Sequence, residues 1–456
     1  MAKPRHIPVC VLPHAAGWHV ASWRRPSVPP KDIWNIDVWA KMAQTAERGC
    51  LDAVFLADLV ALWPVPEHLR HQTAHVGQWE AFTLLSALAM VTKHIGLVAT
   101  GHTEYGSPYN MARRTACLDH ISHGRSGWNV VTSSGPQQAL NYSKNAENPT
   151  DRRYARAEEF VDVVKALWDS WEDDAYIRDK AAGVFYDPSK LHVADHHGEF
   201  YDVRGPLNVM RPPQGYPVLA QAGSSGPGKK LAARIGEIIF TPHSGEGARI
   251  YNRELKALAQ EFGRDPTQIK VLSQISPVVA ATQTEADAKW EQLQSLTHPE
   301  LARGTVEAML GVDLSKADLD APIPEDIGGI VRVTGYHDAV MDYIRTEKPT
   351  VRQLIHAYKG PGTIVGSPKV VADYIEAEVD SGACDGFVLL IQGMPDELED
   401  FVEFVVPELQ RRGRFRTEYE GRTLREHLGL AKPANQFAGR PAGRLTLAAD
   451  RGWNAA

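Results

Sequence analysis

One pattern recurs along the chain. A short, continuous apolar run gives way to a polar or glycine-rich end, and a segment with helical apolar spacing follows. The runs are IPVCVLPHAAG (7–17), DAVFLADL (52–59), IGLVATGHTEY (95–105), GWNVVTSSG (127–135), PVLAQAGSSG (217–226), EIIFTPHSG (237–245), IKVLSQISP (269–277) and DGFVLLIQG (385–393). Unbroken apolar runs, unlike alternating ones, suit strands buried on both faces of a parallel sheet. Between them, Phe160, Val164, Leu167, Trp168 and Trp171 fall on one helix face, as do Ile36, Trp39, Ala43 and Ala46. Gly49 is placed to cap the latter helix, and Thr284 with Asp287 reads as a helix start.

Eight strands alternating with helices predict a (β/α)8 TIM barrel with insertions. A doubly wound open sheet is the rival, but its edge strands would be more polar than any of these runs. The expected layout is a barrel over 1–406 with insertions at about 172–216 and 297–366, then a C-terminal arm over 407–456. The first insertion reads as a hairpin-like excursion and the second as a cover for the site.

Composition narrows the class. A net charge of −7 over 456 residues argues against nucleic acid or an anionic membrane as partner. The four cysteines lie far apart in apolar surroundings, which fits a reducing compartment and no disulfide framework. The N-terminal apolar run is too short for a signal peptide, and no run reaches membrane-spanning length. A cytoplasmic protein is expected.

In a barrel, chemistry collects where strands end. Asp58, His102, Thr103, Asn129, Ser133, Ser134, Gln221, Ser224 and His243 all sit near such ends, either as pocket groups or as satisfied caps. The most specific stretch is PVLAQAGSSGPGKKLAAR, a buried strand running into a Gly/Ser loop and at once into a helix. Small residues there let backbone N–H groups approach an anion, and Ser224 and Ser225 add donors. The alternative is a tight turn with a Ser cap. Gly223, Gly228 and Lys229 nearly spell a nucleoside-triphosphate loop, but Lys230 stands where a hydroxyl must hold magnesium. His192, His196 and His197 lie among Pro and Gly residues, unsuited to a metal-binding helix, so no metal is expected. His14 and His19 follow the first strand beside Trp18 and Trp23 and are better pocket candidates. Neither a Gly-x-Ser-x-Gly elbow nor a dinucleotide fingerprint occurs.

The stretches ARRTACLDHISHGRSGWNVVTSS, RYARAEEFVDVVKALWDSW and GEFYDVRGPLNVMRPPQGYPVLAQAGSS carry a family resemblance, supported by GVDLSKADLDAPIP, GACDGFVLL and VVPELQRRGRFRTEYEGRTLREHLGL. With them the chain resembles the flavin-dependent monooxygenases of the bacterial-luciferase-like superfamily. It is most similar to the branch of nitrilotriacetate, pristinamycin synthase and dibenzothiophene-sulfone monooxygenases. The resemblance implies a barrel that takes reduced FMN from a separate NAD(P)H flavin reductase and assembles as a homodimer or homotetramer. It implies FMN contacts at Asp58, Thr103, Tyr154 and Ser225. The family's usual His, four residues before Tyr154, is Thr150 here, which can bond phosphate but carries no charge. His102 and Glu104 stand where the family has small hydroxyl residues.

The expected function is therefore oxygenation of a small organic substrate (organosulfur, amine or aminopolycarboxylate, or hydrocarbon) with the flavin ring near Asn129. His102 and His19 are the candidate proton donors or substrate contacts. A deazaflavin-dependent hydride-transfer enzyme, a non-catalytic flavin-binding relative and a zinc hydrolase are the alternatives. Trp18, Trp23, Trp63, Trp79 and Tyr105 are candidates for an apolar pocket, and Arg24 and Arg25 for recognition of a carboxylate-rich substrate.

Overall fold

All eight apolar runs form strands in the computed structural model. The structure describes residues 6–440 apart from 15, 29–31, 64, 66, 134, 144–147, 311–313, 315–316, 324–343 and 358–361. Its strands are β1 (Val9–Val11), β2 (Ala53–Leu56), β3 (Gly96–His102), β4 (Ser126–Val131), β5 (His196–His197), β6 (Asp202–Val203), β7 (Val218–Gln221), β8 (Ile238–Thr241), β9 (Lys270–Val279), β10 (Thr363–Gly366) and β11 (Gly386–Leu389). Eight of them, all but β5, β6 and β10, are the parallel strands of the predicted (β/α)8 barrel.

The chain divides into two units, Met1–Glu80 with Ile238–Tyr419, and Ala81–Glu237 with Glu420–Ala456. In the first, β1 pairs with β2 and β11, β11 with β9, and β9 with β8, all in parallel. β1, β2 and β11 are buried throughout, as their unbroken apolar sequences require. β9 runs on past these partners, and Ser276–Val279 pair with β10. β10 lies inside the second insertion, where sequence analysis places no strand. The insertion also has its own small core of Leu314, Ile323, Ile344, Val351 and Leu354. The rest of the expected cover, 324–343, lies outside the described residues.

In the second unit β4 lies between β3 and β7. Trp128 on β4 is fully buried against Phe160 and Trp168 of the Thr150–Trp168 helix. Its indole N–H donates to the Gly101 carbonyl at 3.1 Å. A side-chain carbon at Gly101 would lie 2.7 Å from that nitrogen, so the β3 position must be glycine. The first insertion contains the expected hairpin, β5 antiparallel to β6. The segment beyond Glu420 is held by Arg425, which is 2% exposed and bonds both oxygens of Glu237 at 2.7 and 2.9 Å.

Two helix signals need correction. The helix predicted to start at Thr284 spans Gln283–Ser295 and is capped by Thr282, in a reciprocal box with Glu285. The Thr-Gln-Thr-Glu sequence offers two registers, and the one with the longer carboxylate three residues on reaches back to the cap. Gly49 does end the Ile36–Arg48 helix, but with φ −75°, and it is Cys50 that adopts the left-handed conformation at φ 55°.

Candidate active site

In the second unit, β3 and β4 end side by side, with His102 opposite Val131. Ser133, two residues past β4, has φ 54°, a strained backbone for a residue with a side chain. Its hydroxyl lies 2.7 Å from His102 Nδ1, and its carbonyl accepts a bond from Arg153 Nη1. Arg153 in turn donates to Thr150 Oγ1 at 3.2 Å. Sequence analysis passes over Arg153, although the Arg-Arg-Tyr opening of the helix contains it. The charge that Thr150 cannot carry is thus present at the same helix start, on a residue one turn later.

Burial lowers the His102 imidazole to about 4, so the ring is neutral near pH 7. His102 Nε2 is buried and unbonded. So is Asn129 Oδ1, whose amide group donates to Thr100 Oγ1 at 2.9 Å. Two buried polar atoms without partners, an imidazole nitrogen and an amide oxygen, are what a polar ligand would satisfy. Thr103 is also buried, and both its N–H and its hydroxyl donate to the Val131 carbonyl. Glu104 is 3% exposed, accepts from Asn148 at 2.5 Å and lies 3.8 Å from Arg156. Ser134 lies outside the described residues.

Asn129 pairs with Ala220 of β7, which leads directly into the Gly/Ser loop. Ser225 is the N-cap of the Gly226–Ile235 helix, and its Oγ accepts the Gly228 N–H at 3.2 Å. The Ser-cap and anion-loop readings are therefore compatible, because the hydroxyl keeps its own proton to donate. Ser224 and Ser225 are exposed. Gly223 and Gly228 touch: a side-chain carbon at Gly228 would lie 2.9 Å from the Gly223 Cα and 2.9 Å from the Tyr154 hydroxyl. Tyr154 is thereby brought to this helix start, while Thr150 is exposed at the start of its own helix.

Asp58 and His19 belong to the first unit. Asp58 Oδ1 accepts from Gln78 Nε2 at 3.1 Å, and Gln78 Oε1 accepts the Trp63 indole N–H at 3.1 Å. His19 Nδ1 accepts the Ala21 N–H, its ring meets Trp290 edge-on at 5.9 Å, and burial lowers it to about 4 against a hydrogen bond with Gln294. Arg25 is taken by Glu397 at 3.1 Å and Asp396 at 3.6 Å, and Arg24 by the Leu296 carbonyl, so neither waits for a substrate. His192, His196 and His197 each pair with a different acid, Glu172, Glu159 and Asp202. No group that could hold a metal ion occurs among the described residues.

The chain is thus a parallel barrel with a Gly/Ser loop at a helix start and unbonded buried polar atoms on the neighbouring strands, an arrangement suited to a polar ligand. Residues 17–384 match the family model described as luciferase-like monooxygenase, and the chain belongs to that family. It is 46% identical, over 96% of its length and 99% of the relative's, to N-acetyl-S-(2-succino)cysteine monooxygenase of Bacillus subtilis (strain 168). Identity is also 46% to nitrilotriacetate monooxygenase component A of Aminobacter aminovorans, over 93% of this chain and 96% of that one. A solved structure of riboflavin lyase, with modified FMN and the substrate riboflavin, aligns with a TM-score of 0.80 and 32% identity, covering 94% of this chain and 97% of that one. The chain is a flavin-dependent monooxygenase. No helix among the described residues is long and apolar enough to cross a membrane.

Proposed function

We propose that the protein is the oxygenating component of a two-component system, taking reduced FMN from a separate NAD(P)H flavin reductase and using dioxygen to oxygenate a small organic substrate. One observation carries this reading: the Gly/Ser loop, Tyr154 and the unbonded Asn129 Oδ1 and His102 Nε2 gather at β3, β4 and β7 of one unit. The residues fit the cofactor. Backbone N–H groups at the helix start, with Ser224, Ser225 and Tyr154, would hold the phosphate, and Thr150 with Arg153 would add a hydroxyl and a positive charge. Asn129 Oδ1 would accept from a ring N–H, and Thr103 would add one of the contacts that the resemblance implies. When bound, reduced FMN supplies the electrons that activate dioxygen.

The protein's own residues bind, orient and exclude water. His102, neutral and steadied by Ser133, would present Nε2 to the reacting centre as a hydrogen-bonding contact, because burial disfavours the charged ring that a proton donor requires. The name "component A" of the nitrilotriacetate relative supports a separate reductase. A homodimer or homotetramer in the cytoplasm completes the reading. Supplying a flavin reductase, NADH and FMN to the purified protein tests it: substrate-dependent oxygen uptake with an oxygenated product is expected. Tight deazaflavin binding without oxygen uptake would sink it.

A further inference from the structure

We propose that Glu104 is a positioning residue for the cofactor: from the end of β3 its carboxylate fixes the start of the Thr150–Trp168 helix and so sets Thr150, Arg153 and Tyr154 against the phosphate. This rests on the reading of the Gly/Ser loop as the phosphate seat. Glu104 lies two residues past β3, and its side chain is 2% exposed. Burying a carboxylate is unfavourable unless its oxygens are engaged. Here they are engaged on both flanks of one helix start. Oε1 accepts from Asn148 Nδ2 at 2.5 Å, two residues before the helix, and Oε2 faces Arg156 Nε at 3.8 Å, inside its second turn.

A helical side chain leans back toward the N-terminus of its helix, so Arg156 reaches the same carboxylate that holds Asn148. The three residues proposed for the phosphate lie between these two anchors in the chain. Arg153 in turn bonds Thr150 Oγ1 and the Ser133 carbonyl, and Tyr154 meets Gly228 at the start of the Gly226–Ile235 helix. A shift of the helix start would move all three together, and a charge-assisted bond weakens steeply once its geometry is lost.

The hairpin of the first insertion closes the clamp from the other side. The Arg156 guanidinium sits over the Tyr201 ring at 5.0 Å, and the Tyr201 hydroxyl donates to the Thr103 carbonyl at 3.4 Å. Glu159, one turn after Arg156, accepts the Phe200 and Tyr201 N–H groups at 3.0 and 2.9 Å. Arg156 is 26% exposed and keeps the Tyr201 ring, so removing Glu104 leaves no charge buried alone. The fold should survive that change, and its effect should fall on the helix start. Because Arg156 offsets the charge of Glu104, the carboxylate acts on the phosphate through position.

The test compares binding of FMN and of riboflavin, which differ only in the phosphate, to the full-length protein by flavin fluorescence. Wild type should bind FMN more tightly than riboflavin by about tenfold or more. Glu104→Ala should weaken FMN binding about tenfold and riboflavin binding less than about twofold. Glu104→Gln keeps an acceptor for Asn148 and should recover part of the lost preference. Should the Ala variant fail to fold, Asn148→Ala removes the same bond from its other end and should lower the preference about threefold. A variant that weakens both flavins alike shows a merely structural carboxylate and overturns the proposal. So does one that keeps the full preference for FMN, and in either case the phosphate seat stands. A wild type that binds neither flavin, or both equally, overturns the phosphate seat and this proposal together.

Discussion

Ser133 Oγ sits 2.7 Å from His102 Nδ1, and the same serine's carbonyl holds Arg153. One strained residue therefore orients a neutral imidazole with its side-chain hydroxyl and a cation with its backbone carbonyl. Removing the hydroxyl by Ser133→Ala leaves Nδ1 unsupported while the carbonyl stays. Loss of one such hydrogen bond is worth about 1 kcal/mol, so the turnover number should fall roughly five- to tenfold. Stopped-flow oxygenation with saturating substrate would read this, and FMN affinity should change less than about twofold.

Arg153 makes a different prediction. It bonds Thr150 and Ser133 and is the positive charge at the start of its helix. Arg153→Met should weaken FMN binding by roughly ten- to a hundredfold, in line with a charge-assisted contact of about 1.5–3 kcal/mol. Thr150→His should restore part of that affinity. Fluorescence titration of both variants checks the pair, and an Arg153→Met protein that binds FMN normally would remove Arg153 from the site.

The Gly/Ser loop separates stability from binding. Ser225→Ala removes the cap on Gly228 and should cost about 1 kcal/mol of stability, seen as a lowered urea midpoint. Replacing Ser224 and Ser225 together with Asp keeps a capping carboxylate but sets two negative charges where the phosphate would lie. Melting temperature should then stay close to that of Ser225→Ala while FMN binding is lost.

The pH dependence of stability follows from the buried imidazoles. In the folded protein His14 titrates at about 3 and His19 and His102 at about 4, against an ordinary 6.5. Between these values the unfolded chain binds the extra protons, so stability should rise with pH from about 4 to 6.5. Burial pushes Glu397 up to about 7 from 4.5 despite Arg25, and this group acts in the opposite sense. His75 is lowered by burial like the other three imidazoles, while burial raises Asp119 and Asp400 as it raises Glu397; four imidazoles against three carboxyls leave the net slope positive but shallow. Urea midpoints at pH 4.5, 5.5 and 6.5 would show it, and a midpoint that falls across this range would refute it.

Much of this site was legible in the sequence, for a reason particular to barrels. The strand runs mark themselves by unbroken apolar character, and the groups that follow each run must gather where the strands end. Asn129, Thr103, His102 and Ser225 were located that way. Arg153 was not, because an arginine on a helix face ordinarily points to solvent, whereas here it is buried and bonds the Ser133 carbonyl. β10 was missed because TIVG is short, lies in a Pro- and Gly-rich insertion, and has a place only beside the overrun of β9. Arg25 misled in the other direction, since its partner Glu397 is 372 residues away.

What the sequence alone determined is the alternation of buried strands and amphipathic helices, the glycines that let β3 meet Trp128 and Gly223 meet Gly228, and the kinds of polar group at each strand end. These follow from period, volume and backbone freedom, which are local properties. Only the tertiary structure decided which polar groups are satisfied and which are left wanting. His192 finds Glu172 and Arg24 finds the Leu296 carbonyl, whereas His14, His102 and Asn129 keep unbonded atoms. Hydrogen-bond satisfaction depends on atoms distant in the chain meeting within a few ångströms, and no local pattern encodes that.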